Sequence, residues 1–353
     1  MVALASLSAC DAIAAVRAPI IAAPPTPSLA AATPSPSPTN TVTASPSPTP
    51  TDLPTPSPLP TVPPPTATPP PQIEIVAVGD VMLGRMVNKT SIAQGDFGWP
   101  FQFTRDILAA ADLTIGNLES PLIPYCEQKG LGLRFCGDTR AAEGLRDAGF
   151  DAMGLANNHA SDYGVEGRRA TLAALEAGQI AGVRDGSPAV YEVNGIRIGI
   201  LAYYDVDRNL DIDRAAAETS AMAGQVDVVI GLLHWGYEYQ PQPSERQQKL
   251  AHALIDAGMR VIIGSHPHWL QPIETCKNSV IFYSLGNFVF DQTWSRQTRE
   301  SVMARLTITR HADSLDIAYD LIPIEIIGYG QPQLATTVTI PTPVGEIEQP
   351  PTC

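Results

Sequence analysis

Six stretches of the chain end in residues able to bind a cation or move a proton. An apolar run from Ile73 stops at Asp80, a second stops at Asn117 and Glu119, and a third at Asn157, Asn158 and His159. Later runs stop at His234, at His266-Pro267-His268 and at Asn287. Four of the six histidines in the chain stand at these ends. Asp and Asn are common turn formers, so each position alone has a plain structural explanation. Turn chemistry does not explain run after run ending this way. Mixed imidazole, carboxylate and amide-oxygen donors suit Mn, Fe or Zn better than Ca, which takes oxygen throughout. The cofactor expectation is therefore a divalent metal, one or two ions. His252, inside a helical run, and His311, at a hairpin turn, read as structural.

Hydrophobic patterning supplies the elements that must position these residues. Strands are expected over 73–80, 112–119, 150–159, 197–204, 226–236, 260–268 and 279–288. Helical patterns TRAAEGLRDAG, VEGRRATLAALEAG and SERQQKLAHALIDAG lie between them, each stopping at a Gly, as helices often do. The last opens with Ser244 and Gln247 at capping-box spacing. After Phe290, runs over 301–310 and 315–326 flank HADS and read as a β-hairpin. The alternation implies an α/β core. In open α/β sheets ligands bind beyond the carboxyl ends of the strands, where the donors here stand.

Ahead of this region, 19 of the 48 residues from Pro24 to Pro71 are proline, and Asp52 is the single charge. Such a segment buries too little apolar surface to offset the entropy of ordering it. It reads as a semi-rigid polyproline II stalk rising about 3.1 Å per residue. The expected organisation is a leader over 1–22, a Pro/Thr/Ser-rich linker over 23–72, a domain over 73–330 and a tail over 331–353. A net charge of −14 with no basic run argues against general nucleic-acid binding, which requires phosphate neutralisation. No apolar stretch reaches the roughly 20 residues that span a bilayer. Leu7-Ser8-Ala9-Cys10 resembles a bacterial lipobox, although the basic residue expected after Met1 is absent and the tetrapeptide is short enough to arise by chance. With the stalk behind it, the expectation is an extracytoplasmic lipoprotein anchored at the cell surface. Cys126 and Cys136 flank a polar loop that a disulfide would close in an oxidising compartment, in preference to two unrelated thiols. Cys276 with Cys353 follows only by elimination.

The region from Ile75 to Asp291 resembles the CapA family of capsule synthesis, or poly-γ-glutamate biosynthesis, proteins. The matching motifs are GDVMLGR (79–85), DLTIGNLESPL (112–122), GLANNHASDYGVEG (154–167), HWGYEY (234–239), DAGMRVIIGSHPHWLQP (256–272) and IFYSLGNFVFDQ (281–292). The resemblance implies a calcineurin-like metallophosphatase fold, an αββα sandwich with its metal site at the carboxyl ends of the strands. It implies one metal held by Asp80, Glu119 and His268, and a second held by Glu119, Asn158, His234 and His266. It gives His159 the role of general acid. Asp162 could orient that ring or cap a helix, and Arg85 could clamp an anionic group or remain a solvated loop residue. Two departures stand out: Asp-x-His reads Asp80-Val81-Met82, and Gly-His-x-His carries Ser265 as an extra residue before His266. The implied function is an exported metal-dependent hydrolase using a metal-activated hydroxide in capsule or poly-γ-glutamate synthesis, transfer or export. Its partners would be an anionic surface polymer or its precursor and a membrane synthase. The alternative is a non-catalytic surface lipoprotein that uses metal to bind polymer or partner.

Overall fold

The structure is a computed structural model that describes residues 70–126 and 132–342. The leader, Cys10, the stalk up to Pro69 and Cys353 lie outside the described residues. The strands begin with β1 (Gln72–Val81), β2 (Leu113–Leu118), β3 (Leu122–Ile123), β4 (Gly137–Asp138), β5 (Ala152–Gly154), β6 (Ala181–Val183), β7 (Ala189–Val193) and β8 (Ile196–Asp205). They continue with β9 (Val228–Trp235), β10 (Val261–Ser265), β11 (Ile273–Cys276), β12 (Ser279–Phe282), β13 (Asn287–Val289), β14 (Glu300–Arg310), β15 (Leu315–Ile327) and β16 (Gln331–Leu334). The helices are α1 (Arg85–Gln94), α2 (Arg105–Ala110), α3 (Ala141–Asp147), α4 (Gly164–Ala177), α5 (Ile212–Ala223) and α6 (Glu245–Asp256).

Among the described residues, one sheet runs β16-β15-β14-β1-β2-β5-β6, with β13 also paired to β1. The other runs β11-β12-β10-β9-β8-β7. In the first sheet β1, β2, β5 and β6 run parallel while β14, β15 and β16 add antiparallel strands; in the second β8, β9, β10 and β12 run parallel, with β7 and β11 antiparallel at the edges. This is a mixed α/β architecture. Alternate β1 residues Ile73, Ile75 and Ala77 join Ile115, Ile198, Ile200, Ile230 and Ile263 in a core between the two sheets. The intervening Val76 and Val78 pack with Leu108, Leu145 and Leu175, on the helical side. Val229, Leu233 and Ile262 of the second sheet pack outward on Ala215 and Met222 of α5 and Leu250 and Leu254 of α6. Strands covered on both faces read as continuous apolar runs, which is why they are legible. Helix α6 has the expected cap: Gln247 N donates to Ser244 Oγ at 3.2 Å, and Ser244 N donates to Gln247 Oε1 at 2.9 Å.

The structure departs from the expected elements in four places. The run over 279–288 is two strands in different sheets, β12 and β13, and the chain crosses between sheets at Tyr283–Gly286. The crossing is tight: Asp80 N donates to Gly286 O at 3.1 Å, and a Cβ on Gly79 would lie 1.9 Å from that oxygen. The third expected strand stops at Gly154 and the sixth at Ser265, so their donors sit on turns beyond the strands. The expected tail begins inside the first sheet, because β16 pairs antiparallel with β15, and the linker's last residue, Gln72, already belongs to β1. Helices α1, α2 and α5 lie outside the three expected helical patterns. Cys126 and Cys136 are joined by a disulfide.

Candidate metal centre

Register brings the donors together. In the first sheet Asp80 lies opposite Asn117 on one side and Asn287 on the other. In the second, His234 lies opposite Tyr204 and Ser265. The carboxyl ends of the two sheets meet through side chains. Asn117 Nδ2 donates to Asp80 Oδ1 at 2.8 Å and lies 3.3 Å from His234 Nδ1. His266 N donates to Asp80 Oδ2 at 3.1 Å. His268 Nδ1 lies 2.9 Å from Asn287 Oδ1 and 3.2 Å from Asp80 Oδ2, and its Nε2 is 3.7 Å from Glu119 Oε1. Asn158 Oδ1 lies 2.9 Å from His234 Nε2. All six expected ligand residues are thus in one cluster; Asn158 is half-buried and the others are buried.

Backbone geometry at the triplet is unusual. His266 and His268 adopt φ of 92° and 58°, and Tyr239 N holds the intervening Pro267 carbonyl at 2.9 Å. Non-glycine residues in this region cost on the order of 1–3 kcal/mol each and collect at functional sites. Here the turn sets the His266 backbone N–H and the His268 ring against Asp80.

Two groups of three carboxylate and imidazole donors stand out within the cluster. Asp80, Glu119 and His234 offer ligand atoms within 4.8 Å of one another, and so do Glu238, His266 and His268. Glu238 was missed by sequence reasoning. The available signal was an acidic residue in the loop directly after a strand that ends in His234. Glu119 Oε1 and His266 Nδ1 are buried and have no hydrogen-bond partner. Buried polar atoms are rarely left unpaired, so two of them within a carboxylate and imidazole set fit a divalent cation.

Electrostatics prepare the donors. Burial pushes Glu119 well above the usual carboxylate range, and the Asp80 carboxylate adds to this. Burial also opposes the charge on Asp80, but the hydrogen bond and charge of His268, with His234 beyond, hold it below the ordinary value. Burial, with the charge of His266, pushes His234 far below its ordinary value; burial, with the charge of His268, lowers His266 to about 4. Both rings therefore present lone pairs at neutral pH, the form that binds metal.

His159 stands outside both donor groups. Its Nδ1 lies 2.9 Å from Asp162 Oδ2, which also accepts from Phe135 N at 2.6 Å. Phe135 stacks on the His159 ring with centroids 3.9 Å apart. It directly precedes Cys136, so the disulfide anchors the residue that stacks on His159. Helix α4 is preceded by Tyr163 and has no side-chain cap, so Asp162 faces His159 rather than capping the helix. Arg85 is not a solvated loop residue. It opens α1, forms an ion pair with Asp291, and sits 4.7 Å over the Phe135 ring, so it is neither solvated nor unmatched. His252 pairs with Glu274 and His311 with Asp316, both away from the cluster.

The family described as "Bacterial capsule synthesis protein PGA_cap" matches residues 74–292. Relatives include the PGA biosynthesis protein CapA of Bacillus subtilis (strain 168), 34% identical over 272 residues that cover 70% of each chain. The capsule biosynthesis protein CapA of Bacillus anthracis is 30% identical over 283 residues, which cover 72% of this chain and 68% of that one. The chain belongs to the CapA family of capsule synthesis proteins. The CapA span includes every donor of the cluster together with His159, Asp162, Arg85 and Asp291, and stops short of β14.

Proposed function

We propose that this CapA-family chain is an exported metal-dependent hydrolase with a calcineurin-like metallophosphatase fold, acting on an anionic surface polymer or its precursor. Face-to-face sheets with helices outside support the fold assignment. The observation that carries the activity is the pair of unpartnered buried atoms, Glu119 Oε1 and His266 Nδ1, within a carboxylate and imidazole cluster. Asp80, Glu119, Asn158, His234, His266 and His268 would hold one or two ions of Mn, Fe or Zn, with Glu238 as a further donor at the exposed rim. When bound, the cation supplies a water of near-neutral pKa and stabilises charge on the substrate oxygens.

The remaining roles belong to side chains. Ser265 Oγ donates to Leu233 O at 3.2 Å and so can accept Nδ1–H of His234 at 3.0 Å, directing Nε2 of that ring towards the cluster. Asp162 fixes Nδ1 of His159 in the same way, leaving Nε2 to protonate the leaving oxygen. The scissile bond is a phosphoester or an amide of the polymer. The lipobox-like Leu7–Cys10, the stalk and the Cys126–Cys136 bridge support a lipid-anchored position at the cell surface, beside a membrane synthase.

One observation favours a non-catalytic, metal-dependent polymer binder instead. Met82 occupies the place of the Asp-x-His histidine, and its sulfur accepts from Gly84 N at 3.0 Å. The placement of His159 off the donor groups favours the enzyme. Metal stoichiometry and hydrolysis of a phosphoester and γ-glutamyl panel decide between them. His159→Ala is expected to keep its metal and lose about 10²–10⁴-fold in turnover. Metal-loaded wild type that hydrolyses nothing in the panel sinks the enzyme reading. Cys10→Ser is expected to release the protein from membranes; unchanged retention, with no fatty-acid label on the wild type, refutes the anchor.

A further inference from the structure

Arg85 is already paired with Asp291, so an anionic ligand gains more from cations that have no carboxylate partner. A cleft of about 360 Å³ opens beside the metal donors, lined by Asn157, Tyr204, Arg168, Arg184 and Arg208 among others. Asn157 Nδ2 donates at 3.1 Å to Asn117, which in turn holds Asp80, and the Tyr204 ring lies 6.1 Å from that of His234. The cleft therefore begins one side chain away from the cluster. Its arginines come from three separate places: α4, the turn after β6 and the loop after β8.

None of these three guanidinium groups has a carboxylate within ion-pair distance among the described residues. Arg168 donates to Ser161 Oγ at 3.0 Å, and Arg208 stands 5.3 Å over the Tyr204 ring. Asp185 also lines the cleft, but Arg214 engages it at 2.9 Å. Arg169, next in sequence to Arg168, shows the contrast: it is paired with Glu166 at 2.8 Å. In a chain of net charge −14, three exposed, unmatched arginines on one cleft form a local reversal of field. The guanidinium fork suits bidentate recognition of carboxylate or phosphate.

We propose that Arg168, Arg184 and Arg208 form a subsite for a chain of closely spaced carboxylates, which holds the flank of the polymer while the adjoining bond lies over the metal donors. The polymer's identity rests on the function proposed above; the cleft and its charge do not. A shared subsite for three groups also explains why the arginines converge from separate elements.

The test is binding of a fluorescently labelled glutamate oligomer of about ten residues to the full chain, followed by anisotropy. Arg168→Gln/Arg184→Gln/Arg208→Gln should weaken binding at least about tenfold, given about 1.4 kcal/mol per decade and roughly 1.5 kcal/mol or more per charged hydrogen bond. Lys249→Gln, an exposed cation on α6, should bind as wild type does. Metal content of the triple variant should equal that of wild type, which shows that the fold and the cluster are intact. Binding unchanged in the triple variant, or absent in wild type, overturns the subsite. Displacement by equimolar inorganic phosphate overturns the polycarboxylate class. Arginine-dependent binding without hydrolysis sustains the subsite while defeating the hydrolase, so the two readings fail separately.

Discussion

Glu238 and Arg85 mark the limits of reading side chains one at a time. Asp80, Glu119 and the histidines were legible because each ends an apolar run, where a buried ionisable group needs a reason. Glu238 lies on an exposed loop, where an acidic residue resembles any solvated carboxylate. Only the fold sets it beside His266 and His268. The ion pair of Arg85 was hidden for the opposite reason: its partner Asp291 lies 206 positions further on, and local sequence says nothing of it. If Glu238 is a donor, Glu238→Gln should weaken metal affinity about 10-fold or more, while Glu245→Gln on the first turn of α6 leaves it unchanged. Titration of the metal-free protein with Mn or Zn reads the difference. Equal affinities would return Glu238 to the surface.

Strands were legible wherever both faces are buried, and misread where an apolar run changes sheet. Ser284 alone interrupts the apolar residues between Val280 and Leu285, yet β12 and β13 serve different sheets, with Gly286 at φ of 74° at the crossing. The end of β5 was overrun because Leu155 and Ala156 prolong its apolar run, and that of β10 because His266 and His268 beyond it are buried. One group within an element has a pH consequence. Asp151 leads into β5, and its Oδ2 accepts from Thr114 N of β2 at 2.7 Å. Burial lifts it from 3.8 to about 6, the Thr114 bond opposing. The folded form thus holds this proton more tightly than the unfolded chain does. Its contribution to stability is fully present below the unfolded value and is lost as pH rises through about 6. Asp151→Asn removes the titration, so the unfolding midpoint of the variant should gain on wild type between about pH 4 and pH 7. A gap that stays constant over that interval refutes the assignment.

For the molecule as a whole, the cluster joins two sheets that also meet through apolar packing and through polar contacts such as Tyr191 Oη donating to Asp151 O at 2.8 Å. Each sheet supplies part of the donor set, so a bound cation ties them together at their carboxyl ends. Ligands that bind only the folded state stabilise it by mass action, about 2.7 kcal/mol at a hundredfold excess over Kd. Thermal unfolding with Mn or Zn against the same protein in chelator should show an upward shift of several degrees. His234→Ala should remove most of that shift; an undiminished shift would place the metal elsewhere. The α/β class and the donors' place beyond the strands were readable from patterning. The order of the strands was not, because pairing joins residues hundreds of positions apart.

That strand order also sets a timetable. β1 emerges first from the ribosome, yet it lies between β2 and β14 and also pairs with β13, so its sheet waits for residues beyond 287. The donors span Asp80 to His268, and the Asn287 side chain that steadies His268 comes later still. Contacts this distant in sequence form slowly and late. If the chain is exported as proposed, the cation cage would be assembled only after synthesis, on the far side of the membrane. The metal loaded would then be drawn from the pool of that compartment, and its identity would reflect where the chain folds as much as the donors it offers.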